Sequence, residues 1–151
     1  MHKRIRPLKR FHPLALAALT GLGLSLAAVA APVQQAGEVA ALLQQAGYAE
    51  VRDIELDSGL WEVEVRRDTG RWGEIHVDPA TGEIFDRHTG RALLDAEAIT
   101  RALEAQGYRD IKDLDREGAT WDADAMSPEG YEVDLRVSAH DGRVLHSERD
   151  D

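Results

Sequence analysis

The chain has 151 residues, with 18 Lys+Arg against 28 Asp+Glu for a formal net charge of −10, and no cysteine. That length holds one ordinary domain or two very small units sharing a core. The absence of disulfides excludes stapled toxin-like and inhibitor-like miniature scaffolds. The excess of acid excludes a nucleic-acid or anionic-lipid surface, because every phosphate contact needs a cation to replace counterions.

The first thirty residues read as an export signal. "MHKRIRPLKR" supplies Lys3, Arg4, Arg6, Lys9 and Arg10, "PLALAALTGLGLSLAAVA" is free of charge, and Ala28-Val29-Ala30 is a small-residue cleavage site before Ala31. The apolar run is rich in Ala and Gly and starts at Pro13, which suits a cleaved leader better than a retained anchor. The expected location is periplasmic or secreted, without stable membrane insertion after cleavage. All the acids lie beyond the leader, so the mature surface is more acidic than the whole chain and favours cationic partners.

Beyond the leader, Val39, Leu42, Leu43 and Ala46 keep the i, i+3, i+4, i+7 spacing of a helix face, with Gly47 as its stop. "LWEVEVRRDTG" alternates Trp61, Val63 and Val65 with Glu62, Glu64 and Arg66, the period of a strand with one wet face. Gly70 turns the chain, Ile75 and Val77 continue inward, and a short strand centres on Ile84. Between them "HVDPATGEIFDR" mixes acids, a histidine and a threonine. It reads as a turn, since Pro79 fixes φ, Asp78 can accept a backbone N–H and Thr81-Gly82 closes the loop.

Residues 88–94 read as a linker, after which the pattern repeats. Val39 to Arg87 aligns without a gap against Ile99 to Ser147. Identities fall at Leu43/Leu103, Gly47/Gly107, Tyr48/Tyr108, Asp53/Asp113, Trp61/Trp121, Gly70/Gly130, Val77/Val137 and Gly82/Gly142. Glycines that bend backbone and aromatics that anchor cores are what a duplicated unit keeps. Asp95 is the expected N-cap of the second helix. "YEVDLRVSAHDGRVLH" puts Val133, Leu135 and Val137 on one face, and Asp141-Gly142 is a strong hairpin signal. The expected fold class is α+β: two tandem α-β-β-β units (31–90 and 91–151), each a helix laid on a small antiparallel sheet of three or four strands.

A helix ending in "GY", an acidic strand, "WEVEV", a "DTG" turn and "VDPATGEIF" together resemble the PepSY domain family. The likeness covers nearly all of the mature chain as tandem units, the second degenerate. PepSY units occur in propeptides of secreted thermolysin-like metalloproteases and in free-standing exported or membrane-attached bacterial proteins. The resemblance therefore implies a binding or inhibitory module and brings no catalytic residues with it.

The remaining chemistry is thin. "DLDREGATWDAD" from Asp113 to Asp124 approaches the EF-hand spacing, but it ends in Asp124 rather than Glu, and Thr120 stands where a branched apolar residue belongs. An acidic hairpin face explains it. His76, His140 and His146 have no zinc-site spacing and read as surface residues. No GxSxG elbow and no cysteine nucleophile is present, so no catalytic residue, metal ligand or cofactor is assigned. Arg66, Arg67, Arg71 and Trp72 form the one basic, aromatic stretch, around the Gly70 turn, and are the expected partner-binding residues. The second repeat has Tyr131 and Glu132 there, so this contact belongs to the first repeat. The functional expectation is an exported, non-enzymatic protein-binding or inhibitory module acting on a protease or another envelope partner. The alternative is acidic cation (calcium) binding or sensing.

Overall fold

The computed structural model describes residues 31–150, and the expected leader lies outside them. Ten elements follow in order: α1 (Ala36–Gln45), β1 (Val51–Asp57), β2 (Leu60–Arg66), β3 (Trp72–Val77), β4 (Ile84–Phe85), α2 (Ala96–Ala105), β5 (Arg109–Glu117), β6 (Thr120–Met126), β7 (Glu132–Ser138) and β8 (Val144–Arg149). They form two antiparallel sheets of consecutive strands, β1-β2-β3-β4 and β5-β6-β7-β8, each carrying one helix. The architecture is α+β in two tandem units, each with four strands.

The second helix begins at its expected cap, Asp95, and the first begins at Gln35. Asp95 accepts the Ala98 N–H at 2.9 Å, and the Glu38 carboxylate accepts the Gln35 N–H at 3.1 Å. Val39 and Leu43 of α1 are fully buried over Val63, Val65, Ile75 and Val77. In the second unit Ile99 and Leu103 cover Trp121, Ala123, Ala125, Val133, Leu135 and Val137. Each fully buried Val, Leu or Ile contributes roughly 1.5–3 kcal/mol on burial, and these side chains are what hold each helix to its sheet. The repeated tryptophans secure the approach to each helix: Trp61 Nε1 donates to the Val33 carbonyl (2.9 Å) and Trp121 Nε1 to that of Leu94 (3.3 Å).

"HVDPATGEIF" is a turn. Asp78 Oδ1 accepts the Ala80 N–H at 2.8 Å, Oδ2 accepts the Thr81 hydroxyl at 2.9 Å, and the Gly82 N–H closes on the Asp78 carbonyl at 2.7 Å. Its counterpart explains a conserved feature of the repeat: a Cβ on Gly142 would overlap that of Ala102, so α2 lies directly on the turn.

The units also bury surface against each other. Leu60 and Phe85 are fully buried yet belong to neither helix-on-sheet core. Phe85 stacks on His140 of the second unit with centroids 6.3 Å apart, and the Arg143 guanidinium lies 5.7 Å from its ring. Gly59 sits against the His146 ring. By contrast, the outer strands β1 and β5 are irregular. Asp53, Asp110 and Asp113 take positive φ (49, 50 and 49°) at register shifts, which bend these edges away from regular pairing.

Candidate partner-binding cleft

The β2–β3 hairpin closes through Arg67 N–H to Arg71 O (2.7 Å) and Gly70 N–H to Arg67 O (2.8 Å), with Gly70 at φ 78°. Only a residue without Cβ takes that φ cheaply. This tight closure sets Arg71 and Trp72 at the mouth of a cleft of 640 Å³, whose walls include Arg67, Glu74, Arg87, His88 and, from the second unit, Gly118. Trp72 is 36% exposed and lies on the sheet face opposite α1. The Arg52 guanidinium covers it at 4.0 Å from the ring centroid, a cation–π contact that fixes the indole without hiding it.

Asp86, nearly fully buried behind the cleft, anchors two of its lining residues, Arg67 and His88. Its Oδ2 accepts the Tyr48 hydroxyl at 2.7 Å and a short charge-assisted bond from Arg67 Nη1, while Oδ1 accepts the His88 N–H at 2.9 Å. Burial alone would raise the Asp86 pKa, but the donors, Arg67 first among them, hold it below the ordinary carboxylate value. Burial, and then the bond to Asp86, pushes the Tyr48 hydroxyl up.

Of the four residues singled out by sequence, the structure brings three into this cleft: Arg67, Arg71 and Trp72. Arg66 points elsewhere, donating to Glu50 Oε1 at 2.8 Å, and borders a neighbouring depression beside Tyr48 and Asp68. Arg71 and Arg87 take part in none of the ion pairs among the described residues, in a chain with ten more acids than bases. The sequence reading missed Arg87 and His88, which it had placed at the repeat end and in the linker. Their route into the site is the Asp86 turn, and "FDRH" carries no periodicity that would reveal it.

His76 corrects a second reading. It lies on the expected sheet face, but that face is covered at its end by the second unit, so His76 is 2% exposed rather than on the surface. Arg136 Nη1 lies 3.2 Å from His76 Nε2, and an arginine can only donate, so the imidazole is neutral and carries its proton on Nδ1. Burial first, and the Arg136 charge second, lower its pKa to about 4, against a smaller opposing effect of Asp57. Glu62 and Glu74 converge on the same place, with carboxylate and imidazole atoms within 4.8 Å of one another. Burial and then Glu62 raise the Glu74 pKa, with Glu117 adding to it. Two glutamates and a histidine are ligand types for a divalent metal, yet a guanidinium already faces the imidazole, and two cations so close repel. The period-2 pattern of "WEVEV" against "GEIHV" was the available signal for this trio.

The second unit has a contrasting groove. Asp113, Asp115, Glu117, Asp122, Asp124 and Asp134 line a cleft of 330 Å³. The EF-hand-like stretch is the β5–β6 hairpin, with its acids on two paired strands instead of around a loop. Arg136 borders this groove, its Nη2 donating to Asp122 at 3.0 Å.

Residues 14–88 match the family model described as peptidase propeptide and YPEB domain. No curated protein matches the chain. Among the described residues, no helix is long and apolar enough to cross a membrane.

Proposed function

The chain belongs to the PepSY family through residues 14–88, and we propose on that premise that it is an exported, non-enzymatic module that binds and restrains a protein partner. The partner class is a secreted or envelope protease, or another envelope protein, in the periplasm or outside the cell. The observation that carries this reading is the Arg71–Trp72 cleft. It joins an exposed tryptophan and Arg71, on a tightly closed hairpin, to Arg87 from the turn after β4, and neither arginine takes part in an ion pair among the described residues. Tryptophan and arginine are the side chains most enriched among residues that dominate binding energy, and a preformed hairpin loses little entropy on docking.

Capture from envelope extract tests it, with the wild-type chain and Trp72→Ala as paired baits. A partner held by the wild type and lost by the variant supports the reading. Identical recovery removes the cleft from it.

A second reading, cation binding, draws on the acidic groove of the second unit, where seven carboxylates line one cleft. Calcium titration by calorimetry tests it: heat and a raised melting temperature at millimolar calcium favour it, and neither appearing dismisses it.

A further inference from the structure

The two repeats differ at one edge. In the second, β8 covers β7 with Val133 opposite Arg149, Asp134 opposite Glu148 and Leu135 opposite Ser147, and the Asp150 N–H reaches the Glu132 carbonyl at 3.1 Å. In the first, β4 stops after pairing with His76 and Val77. Trp72, Gly73 and Glu74 therefore have no strand beside them on that side. The chain leaves the edge at Asp86, whose side chain binds Arg67, Tyr48 and the His88 N–H and whose carbonyl accepts the Thr89 hydroxyl at 3.0 Å. The space that β8 fills in one repeat is the Arg71–Trp72 cleft in the other.

The exposed edge presents backbone groups in usable phase. The bond from Arg67 N–H to Arg71 O sets the ladder so that Gly73 and Ile75 face β2, leaving the N–H and C=O of Trp72 and Glu74 directed away from it. The Glu74 carbonyl receives only a long contact, 3.4 Å, from Arg67 Nη2. The bulged edges of β1 and β5 offer no such run.

We propose that this gap is a strand-acceptor site: an extended, acidic segment of the partner polypeptide adds to β3 at Trp72–Glu74, in the place that Glu148–Asp150 occupies beside β7. This rests on the binding reading above and specifies what the partner presents. Main-chain bonds to Trp72 and Glu74 supply affinity. Arg71 and Arg87 select carboxylates on alternate residues of the incoming strand, with His88 at the rim. The second repeat is the internal demonstration that an antiparallel strand fits, since residues of that segment, including Glu148, are themselves acidic.

The test uses the full mature chain and a synthetic peptide of the sequence VLHSERDD, the segment from Val144 to Asp151 supplied in trans. Amide hydrogen exchange is followed by NMR with millimolar peptide. The expected result is at least tenfold slower exchange at the Trp72 and Glu74 amides. The effect should be absent with the charge-reversed peptide VLHSKRKK and in Arg71→Glu/Arg87→Glu. Glu74→Pro removes an outward donor at an edge position without touching the β2 ladder, and should abolish protection too. Unchanged exchange at those two amides, or equal protection by both peptides, overturns the proposal. In the envelope capture, a partner lost by Trp72→Ala but kept by Glu74→Pro would leave the binding reading standing and remove strand addition alone.

Discussion

Arg136 and His76 stand 60 positions apart, at the same place in their repeats, and they touch at 3.2 Å. Glu83 and Arg143 do likewise, at the same separation and 2.6 Å. Contacts between equivalent positions are the mark of an isologous interface, so the two units face each other about a pseudo-twofold axis as the halves of a homodimer would. The duplicated positions have diverged into complementary pairs: histidine against arginine, glutamate against arginine.

The Glu83–Arg143 pair should be measurable as a coupling between repeats. Arg143 also meets Asp141 at 3.1 Å, and Glu83 also meets Arg91 at 2.9 Å, so single truncations mix effects. A double-mutant cycle of Glu83→Ala and Arg143→Ala, followed by urea unfolding, should return a coupling of about 1 kcal/mol, given that both side chains are partly exposed. Strict additivity would mean that the pair contributes nothing to the interface.

His76 predicts a pH dependence. An ordinary histidine titrates near 6.5 and this one at about 4. Between those values the unfolded chain binds a proton that the folded chain refuses, so stability falls as pH drops from 6.5 toward 4 and levels off below. The loss should be on the order of 3 kcal/mol. Glu74 acts in the opposite sense, because its raised pKa favours the folded state at low pH. Urea midpoints at pH 7 and pH 4.5 should therefore converge in His76→Gln relative to the wild type. An unchanged difference would remove His76 as the cause.

Asp86 is the second stress point. Asp86→Ala leaves Tyr48 and the largely covered Arg67 guanidinium without their shared acceptor, and should cost about 2–4 kcal/mol. Asp86→Asn keeps one acceptor oxygen and should cost less. A melting temperature that falls equally in both variants would place the whole effect in the lost charge, because asparagine keeps the volume that alanine removes.

Gly59 should tolerate no side chain. Its φ is +76°, and a Cβ there would run into the His146 ring across the repeat interface. Gly59→Ala should destabilise by about 1–3 kcal/mol, whereas Gly90→Ala, equally at positive φ but with open space around it, should show only the smaller backbone cost. Thermal unfolding distinguishes them.

The elements were legible because the signals that define them are local. Periodicity located Val63, Val65, Ile75 and Val77 on the covered face, and turn chemistry identified Asp78-Pro79-Ala80-Thr81-Gly82. What was not legible depends on how one unit meets the other. His76 has the parity of a wet face, and nothing local says that the end of this face is buried beneath Arg136. Arg87 and His88 enter the cleft through the Asp86 turn, which replaces the strand that the repeat pattern calls for. Arg66 and Arg67 are adjacent in sequence, but strand alternation sends them to different partners, Glu50 and Asp86.

The most direct measurement of the central claim is the dissociation constant of the captured partner, determined by calorimetry for the wild type, Trp72→Ala and Tyr131→Ala. Tyr131 is the most exposed large aromatic of the second repeat, 47% open against 36% for Trp72. Recognition through the first-repeat cleft requires a loss of roughly tenfold or more for Trp72→Ala and little change for Tyr131→Ala. Equal affinities for wild type and Trp72→Ala, or a larger loss for Tyr131→Ala, would contradict it.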